Sequence, residues 1–107
     1  MKVVVIGSSN IDMVAQVSHL PAPGETVGDA NFMQSLGGKG ANQAVAAARL
    51  GGFVTFVTSL GNDMYADILK NHFKKEGITT DYIIDDVNHP TGTALIFVAD
   101  SGENCIA

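Results

Sequence analysis

The most constraining feature of the chain is Ser35–Gly51, SLGGKGANQAVAAARLG. Gly37-Gly38-Lys39-Gly40 is too flexible to sit inside a helix or strand without cost. It stands directly before an alanine-rich run with no further breaker until Gly51-Gly52. The pattern predicts a tight turn feeding a helix from about Gly40 to Leu50, with Gly51 as its left-handed cap. Ala41, Ala44, Ala47 and Ala48 give that helix a narrow, smooth face that can lie close to a sheet. A Gly-rich turn before a helix often holds an anion, because free N–H groups and the helix dipole point at it. What this turn holds decides both fold and function.

The surrounding elements alternate. Val3–Ile6 is a continuous apolar run, the mark of a strand buried on both faces, and Phe53–Thr58 reads the same way. Asp63 is placed to cap a second helix through Glu76, with Met64, Ile68, Leu69 and Phe73 inward. Gly77-Ile78 ends that helix, and Asp81–Ile84 reads as a short strand. Strand, helix, strand, helix, strand is the order of a parallel α/β sheet. Three segments break that order: the alternating Ile11–Val17, the extended Val27–Leu36 and the strongly β Thr93–Ala99. They predict a separate antiparallel flap, turned at Leu20-Pro21-Ala22-Pro23-Gly24. Ile106-Ala107 looks like the start of a strand, so the chain reads as the N-terminal part of something longer.

Composition narrows the function. The chain is 46% hydrophobic and 16% charged, which argues for a folded domain. Its net charge of −5 with scattered basic residues argues against nucleic acid as a partner. No apolar run is long enough for a signal peptide or a membrane span, so the expected setting is cytoplasmic. The single cysteine, Cys105, reads as a small core residue. His19, His72 and His89 lack metal-ligand spacing and read as surface residues.

The turn fails both common nucleotide motifs. A P-loop needs Ser or Thr directly after its Gly-Lys, but Gly40 follows Lys39. The dinucleotide fingerprint lacks its third glycine, because Gln43 occupies that place. What remains is a helix start carrying Gly38, Lys39 and Asn42, a donor set suited to hydroxyls at least as well as to phosphate. The bland alternative is that the glycines only allow close packing and Lys39 is solvated. Asn10-Ile11-Asp12 follows the first strand, where α/β sheets bind ligands. Period two puts Asn10 and Asp12 on one side, and a carboxylate can accept from both hydroxyls of a diol. Asp12 facing water from an edge strand is the competing reading.

These residues resemble the ribokinase family of carbohydrate kinases. Gly37–Gly51 resembles the family's N-terminal signature, and Gly7-Ser8-Ser9-Asn10-Ile11-Asp12 its first strand and sugar-contact segment. Leu20–Thr26 resembles its lid hairpin. Thr91–Val98 followed by Gly102-Glu103-Asn104 resembles the returning lid strands. The resemblance implies a doubly wound, mostly parallel α/β sheet with a small antiparallel β lid. Residues 1–10 and 37–90 would form the partial α/β core, and 11–36 with 91–107 the lid. It implies ATP-dependent phosphorylation of a pentose such as ribose at its primary hydroxyl, with Mg²⁺ and a monovalent cation such as K⁺. Asn10, Asp12, Gly38, Lys39 and Asn42 would hold the sugar, with Ala94 touching it from the lid. The resemblance places the catalytic aspartate, the nucleotide pocket and the cation site beyond Ala107, so the chain alone would be inactive. It also implies a homo-oligomer paired through the lid. The alternatives are a non-catalytic sugar-binding or self-associating half-domain, or a kinase for another sugar or nucleoside of the same family.

Overall fold

A computed structural model describes residues 1–107. The elements run β1 (Lys2–Ile6), β2 (Asn10–Val17), β3 (Asn31–Gly37), α1 (Lys39–Arg49), β4 (Phe53–Val57), β5 (Ser59–Gly61), α2 (Met64–Lys75), β6 (Ile84–Asp86), β7 (Gly92–Ala99) and β8 (Asn104–Ile106). The chain divides into two compact units. The first is Met1–Ile11 with Leu36–Gly92, and the second is Asp12–Ser35 with Thr93–Ala107. Parallel and antiparallel ladders are both present.

In the first unit β1 pairs parallel with β4, from Lys2↔Phe53 to Ile6↔Val57. The third parallel strand expected at 81–84 forms elsewhere. Only Thr79 bridges β4, at Thr55, and the chain then turns at Thr80–Ile83. The Ile84 N–H instead donates to the Thr58 carbonyl at 2.8 Å, and β6 pairs parallel with β5. Ser59-Leu60-Gly61 has turn-like composition. Leu60, 1% exposed, makes it a strand by filling the core.

Both helices end in Schellman caps. The Gly51 and Gly52 N–H groups donate to the Ala48 and Ala47 carbonyls. Gly77 and Ile78 do the same to Lys74 and Phe73. Gly51 and Gly77 take φ of 93° and 75°, the left-handed conformation this cap needs. In α2 the buried stripe is Ala66, Leu69 and Phe73. Met64, expected inward, is exposed, because nine residues of helix rotate it about 180° from Phe73. Phe73 meets Phe56 edge-on, with centroids 5.1 Å apart, and both rings are fully buried. Val4 and Ile6 are exposed, so β1 is covered on one face only. α1 supplies that cover, with Ala41 and Ala44 buried.

The second unit is built on a four-stranded sheet of order β3-β2-β7-β8. β7 and β8 are antiparallel, with Phe97 opposite Cys105. β3 begins at Asn31 rather than Val27. Cys105 is exposed, not a core residue, because β8 is the edge strand of this sheet. The β2–β3 connection turns at Ala22–Glu25, where Pro23 precedes Gly24 at φ 80° and the Glu25 N–H closes onto the Ala22 carbonyl. The Glu25 carboxylate accepts from the Ala22 N–H and meets His19 Nε2 at 2.9 Å.

The His19–Glu25 hydrogen bond raises the histidine and lowers the glutamate from their usual values. The ion pair therefore forms above the Glu25 value and dissolves as pH rises through the His19 value. In an NMR titration, His19 should titrate above 6.5. Glu25→Gln should bring its midpoint down. An unchanged midpoint in that variant would mean that the pair does not form in solution.

Candidate functional site

The site begins as a contact between backbones. Gly38 caps α1 at φ 103° with no side chain to hydrogen-bond. A Cβ there would lie 2.6 Å from the Ser8 carbonyl oxygen and 2.7 Å from Ser9 Cα. A Cβ on Gly40 would lie 2.7 Å from Gly7 Cα, and one on Gly7 would lie 2.9 Å from Gly40 Cα. The Gly7–Ser9 loop therefore rests directly on the first turn of α1. The Ala41 N–H donates to the Ser8 carbonyl at 3.0 Å, and the Asn42 N–H to the Gly38 carbonyl at 2.9 Å. Of the readings open from sequence, close packing is what the glycines achieve. The Ala41 N–H is taken up by the Ser8 carbonyl of that loop. Lys39 and Asn42 stay exposed on this turn.

Asn10 and Asp12 are half-buried in β2. Strand alternation sets them on one face, opposite Ile11, which is 0% exposed. Gly92 approaches Asn10 closely: a Cβ on it would be 3.2 Å from Asn10 Cβ and 3.4 Å from the Ser9 carbonyl oxygen. Asn10, Gly38, Lys39 and Asn42 thus belong to the first unit, gathered around the Gly7–Ser9 loop. Asp12 and Ala94 belong to the second unit. One cavity of the first unit, about 470 Å³, is an open hollow lined by Leu36, Asn42, Val45, Ala46, Arg49 and His72. Of the residues singled out from sequence it contains Asn42 alone. Its Arg49 is held in a bidentate pair by Glu76, at 2.9 and 2.5 Å, which lowers the glutamate.

Two features escape sequence reasoning. The Ser9 hydroxyl is buried and has no hydrogen-bond partner within the chain. An orphan of this kind costs about 1–3 kcal/mol unless water or a ligand satisfies it. The second is Asp63, legible only as a helix cap. Its Oδ1 accepts from the Ala66 N–H at 2.9 Å, as a cap should, and from the Thr91 hydroxyl at 2.7 Å. Its Oδ2 accepts from the Thr91 N–H at 2.9 Å. The Thr91 hydroxyl in turn accepts from the Gly61 N–H at 2.9 Å. The Thr91 N–H, then its hydroxyl, hold the Asp63 carboxyl below the usual value. The stability this adds is present above the unfolded-state value and is lost as pH falls through the folded one.

Comparison with known proteins decides the family. The pfkB family carbohydrate kinase model matches residues 1–107, the whole chain. The chain belongs to the pfkB family of carbohydrate kinases. Among pfkB relatives, the ribokinase of Haemophilus influenzae is 48% identical over 102 residues, covering 95% of this chain and 33% of its own length. The crystal structure of ribokinase from Thermotoga maritima matches with a TM-score of 0.87 at 44% identity, covering 100% of this chain and 35% of that one. The structure of Arabidopsis thaliana ribokinase complexed with ribose and ATP matches with a TM-score of 0.89 at 35% identity, covering 99% of this chain and 35% of that one. The chain therefore spans about a third of the length of these relatives.

Substitutions can separate the tight glycines from the merely left-handed ones. Gly51 has open space at its Cβ position, so Gly51→Ala should cost only the left-handed strain, about 1–2 kcal/mol. Gly40→Ala must displace backbone and should cost more than about 3 kcal/mol. Urea unfolding of the two variants checks the ranking, and equal costs would refute the contact.

Proposed function

We propose that this chain is the sugar-binding, N-terminal part of an ATP-dependent ribokinase that phosphorylates D-ribose at its primary hydroxyl. Ribokinases match it across nearly its whole length, and one of them is described with ribose and ATP bound. The observation that carries the reading is the seating of Ser8–Ser9 on the Gly38–Gly40 turn. It engages the Ala41 N–H, a donor that a phosphate cradle at this turn would use. Around one loop stand Lys39, which can donate to hydroxyls, and Asn10 and Asn42, which can both donate and accept. In this reading Asn10, Gly38, Lys39 and Asn42 contact the sugar. Asp12 is assigned to it by its place beside Asn10 in β2 and by family resemblance, and Ala94 by resemblance alone.

Phosphoryl transfer needs charge-neutralising donors and a carboxylate beside the acceptor hydroxyl. No group of three or more His, Cys, Asp or Glu side chains gathers in this chain. Neither Mg²⁺, K⁺ nor the ATP phosphates are assigned to residues 1–107, and no catalytic residue is assigned here. The reading places the protein in the cytoplasm. It also makes it a homo-oligomer through the second unit, where Phe32, Met33, Leu95 and Ile106 are all more than half exposed. A monomer mass for the full-length kinase by light scattering would remove that last element.

Two assays test the reading. The 107-residue chain mixed with ribose and ATP should release no ribose phosphate, and turnover would overturn the division of labour. In the full-length kinase, Asp12→Ala should raise the ribose KM about tenfold to a hundredfold, since a charged hydrogen bond is worth about 1.5–3 kcal/mol. The ATP KM should stay within about twofold. An unchanged ribose KM would remove Asp12 from the site.

A further inference from the structure

If Asn10 holds a sugar hydroxyl, its placement matters. A side chain that holds a substrate hydroxyl must itself be held, and small displacements are costly. Asn10 begins β2, directly after the loop seated on α1. Gly38 bounds that loop on one side. On the other side lies Gly92, whose missing Cβ leaves room for Asn10 Cβ and the Ser9 carbonyl. What fixes Gly92 is its neighbour Thr91, 2% exposed and bonded through both its N–H and its hydroxyl to the Asp63 carboxylate. Gly61 completes the arrangement: its N–H donates to the Thr91 hydroxyl. A Cβ on Gly61 would lie 2.4 Å from the Thr91 nitrogen. The approach of the 89–91 segment is therefore as close as backbone allows.

We infer that Asp63 is a positioning residue for sugar binding, acting through Thr91 and Gly92 to hold Asn10 in place. This rests on Asn10 being a sugar contact. An ordinary helix cap needs one carboxylate oxygen, and Ala66 uses one. The second oxygen, Oδ2, accepts from the Thr91 N–H, outside α2. The arrangement separates the two roles chemically. Asparagine caps a helix about as well as aspartate, but its amide nitrogen cannot accept the Thr91 N–H. Asp63→Asn therefore keeps the cap and the Thr91 hydroxyl bond at Oδ1, and loses the Thr91 N–H bond at Oδ2.

The test uses the full-length kinase, with Asp63→Asn, Thr91→Val, Thr91→Ser and Asn10→Ala measured side by side. Asp63→Asn should weaken ribose binding at least tenfold by calorimetry and raise the ribose KM in step, with the ATP KM within about twofold. Thr91→Val should act in the same direction. Thr91→Ser, which keeps the hydroxyl, should restore ribose affinity to within about threefold of the parent. A purely structural role would lower yield and melting temperature without splitting the two KM values. If Asp63→Asn does not fold, the Thr91 pair carries the same test. Ribose affinity unchanged in Asp63→Asn and Thr91→Val, with Asn10→Ala impaired, overturns the inference and leaves the sugar-site reading standing. Ribose affinity unchanged in Asn10→Ala removes that reading and the inference with it.

Discussion

The structure depends on one contact made without side chains. Gly7 and Gly40 meet backbone to backbone, and Gly38 meets Ser8 and Ser9 in the same way. A methyl group at Gly38 or Gly40 would come within 2.7 Å of main-chain atoms, which cannot rotate aside as a flexible side chain would. Because the contact is so close, the Ser8 carbonyl reaches the Ala41 N–H and becomes the cap that Gly38 cannot supply. The end of β1, the start of β2 and the start of α1 are thereby tied at one point. The residues with the richest hydroxyl chemistry stand around that point.

A polar clamp and an apolar wedge complete the first unit. The wedge is Phe56 against Phe73, an edge-on pair worth about 0.5–1.5 kcal/mol beyond the area it buries. Leu69 and Leu60 are buried as well, so α2 and β5 share one core. The clamp is Asp63, which starts α2 and also holds the segment leading into β7. The apolar contacts set how strongly α2 is held. The carboxylate sets where the chain leaves the core.

Much of the fold was legible, and the failures have physical causes. α1 and α2 lie within a residue of where glycine breakers and the Asp63 cap placed them, because those signals act locally. β5 was invisible because three residues carry no periodicity, and tertiary pairing makes it a strand. β6 moved from 81–84 to 84–86 because Thr58, not β4, offers the free carbonyl. Met64 was misplaced through a wrong face, and Cys105 through composition. Around the candidate site, the glycines could be read as special, but not the partner that made them so. Gly7 and Gly40 are 33 residues apart, and nothing local in either announces the other. The second oxygen of Asp63 was hidden for the same reason.

The order of strands in the second unit carries a consequence for how the chain is made. β2 lies between β3 and β7, yet β7 starts only at Gly92. On a ribosome, β2 and β3 emerge together, and β2 then waits with one edge bare while more than 50 residues of the first unit follow. The entropy of closing so long a loop grows only logarithmically, so the finished sheet loses little stability by it. Time is the scarcer quantity, because distant pairings form late. During the wait, a strand carrying Ile11 and Val17 presents unpaired backbone to its surroundings. The late arrival of β7 is therefore the step at which a nascent chain is open to pairing with the wrong neighbour.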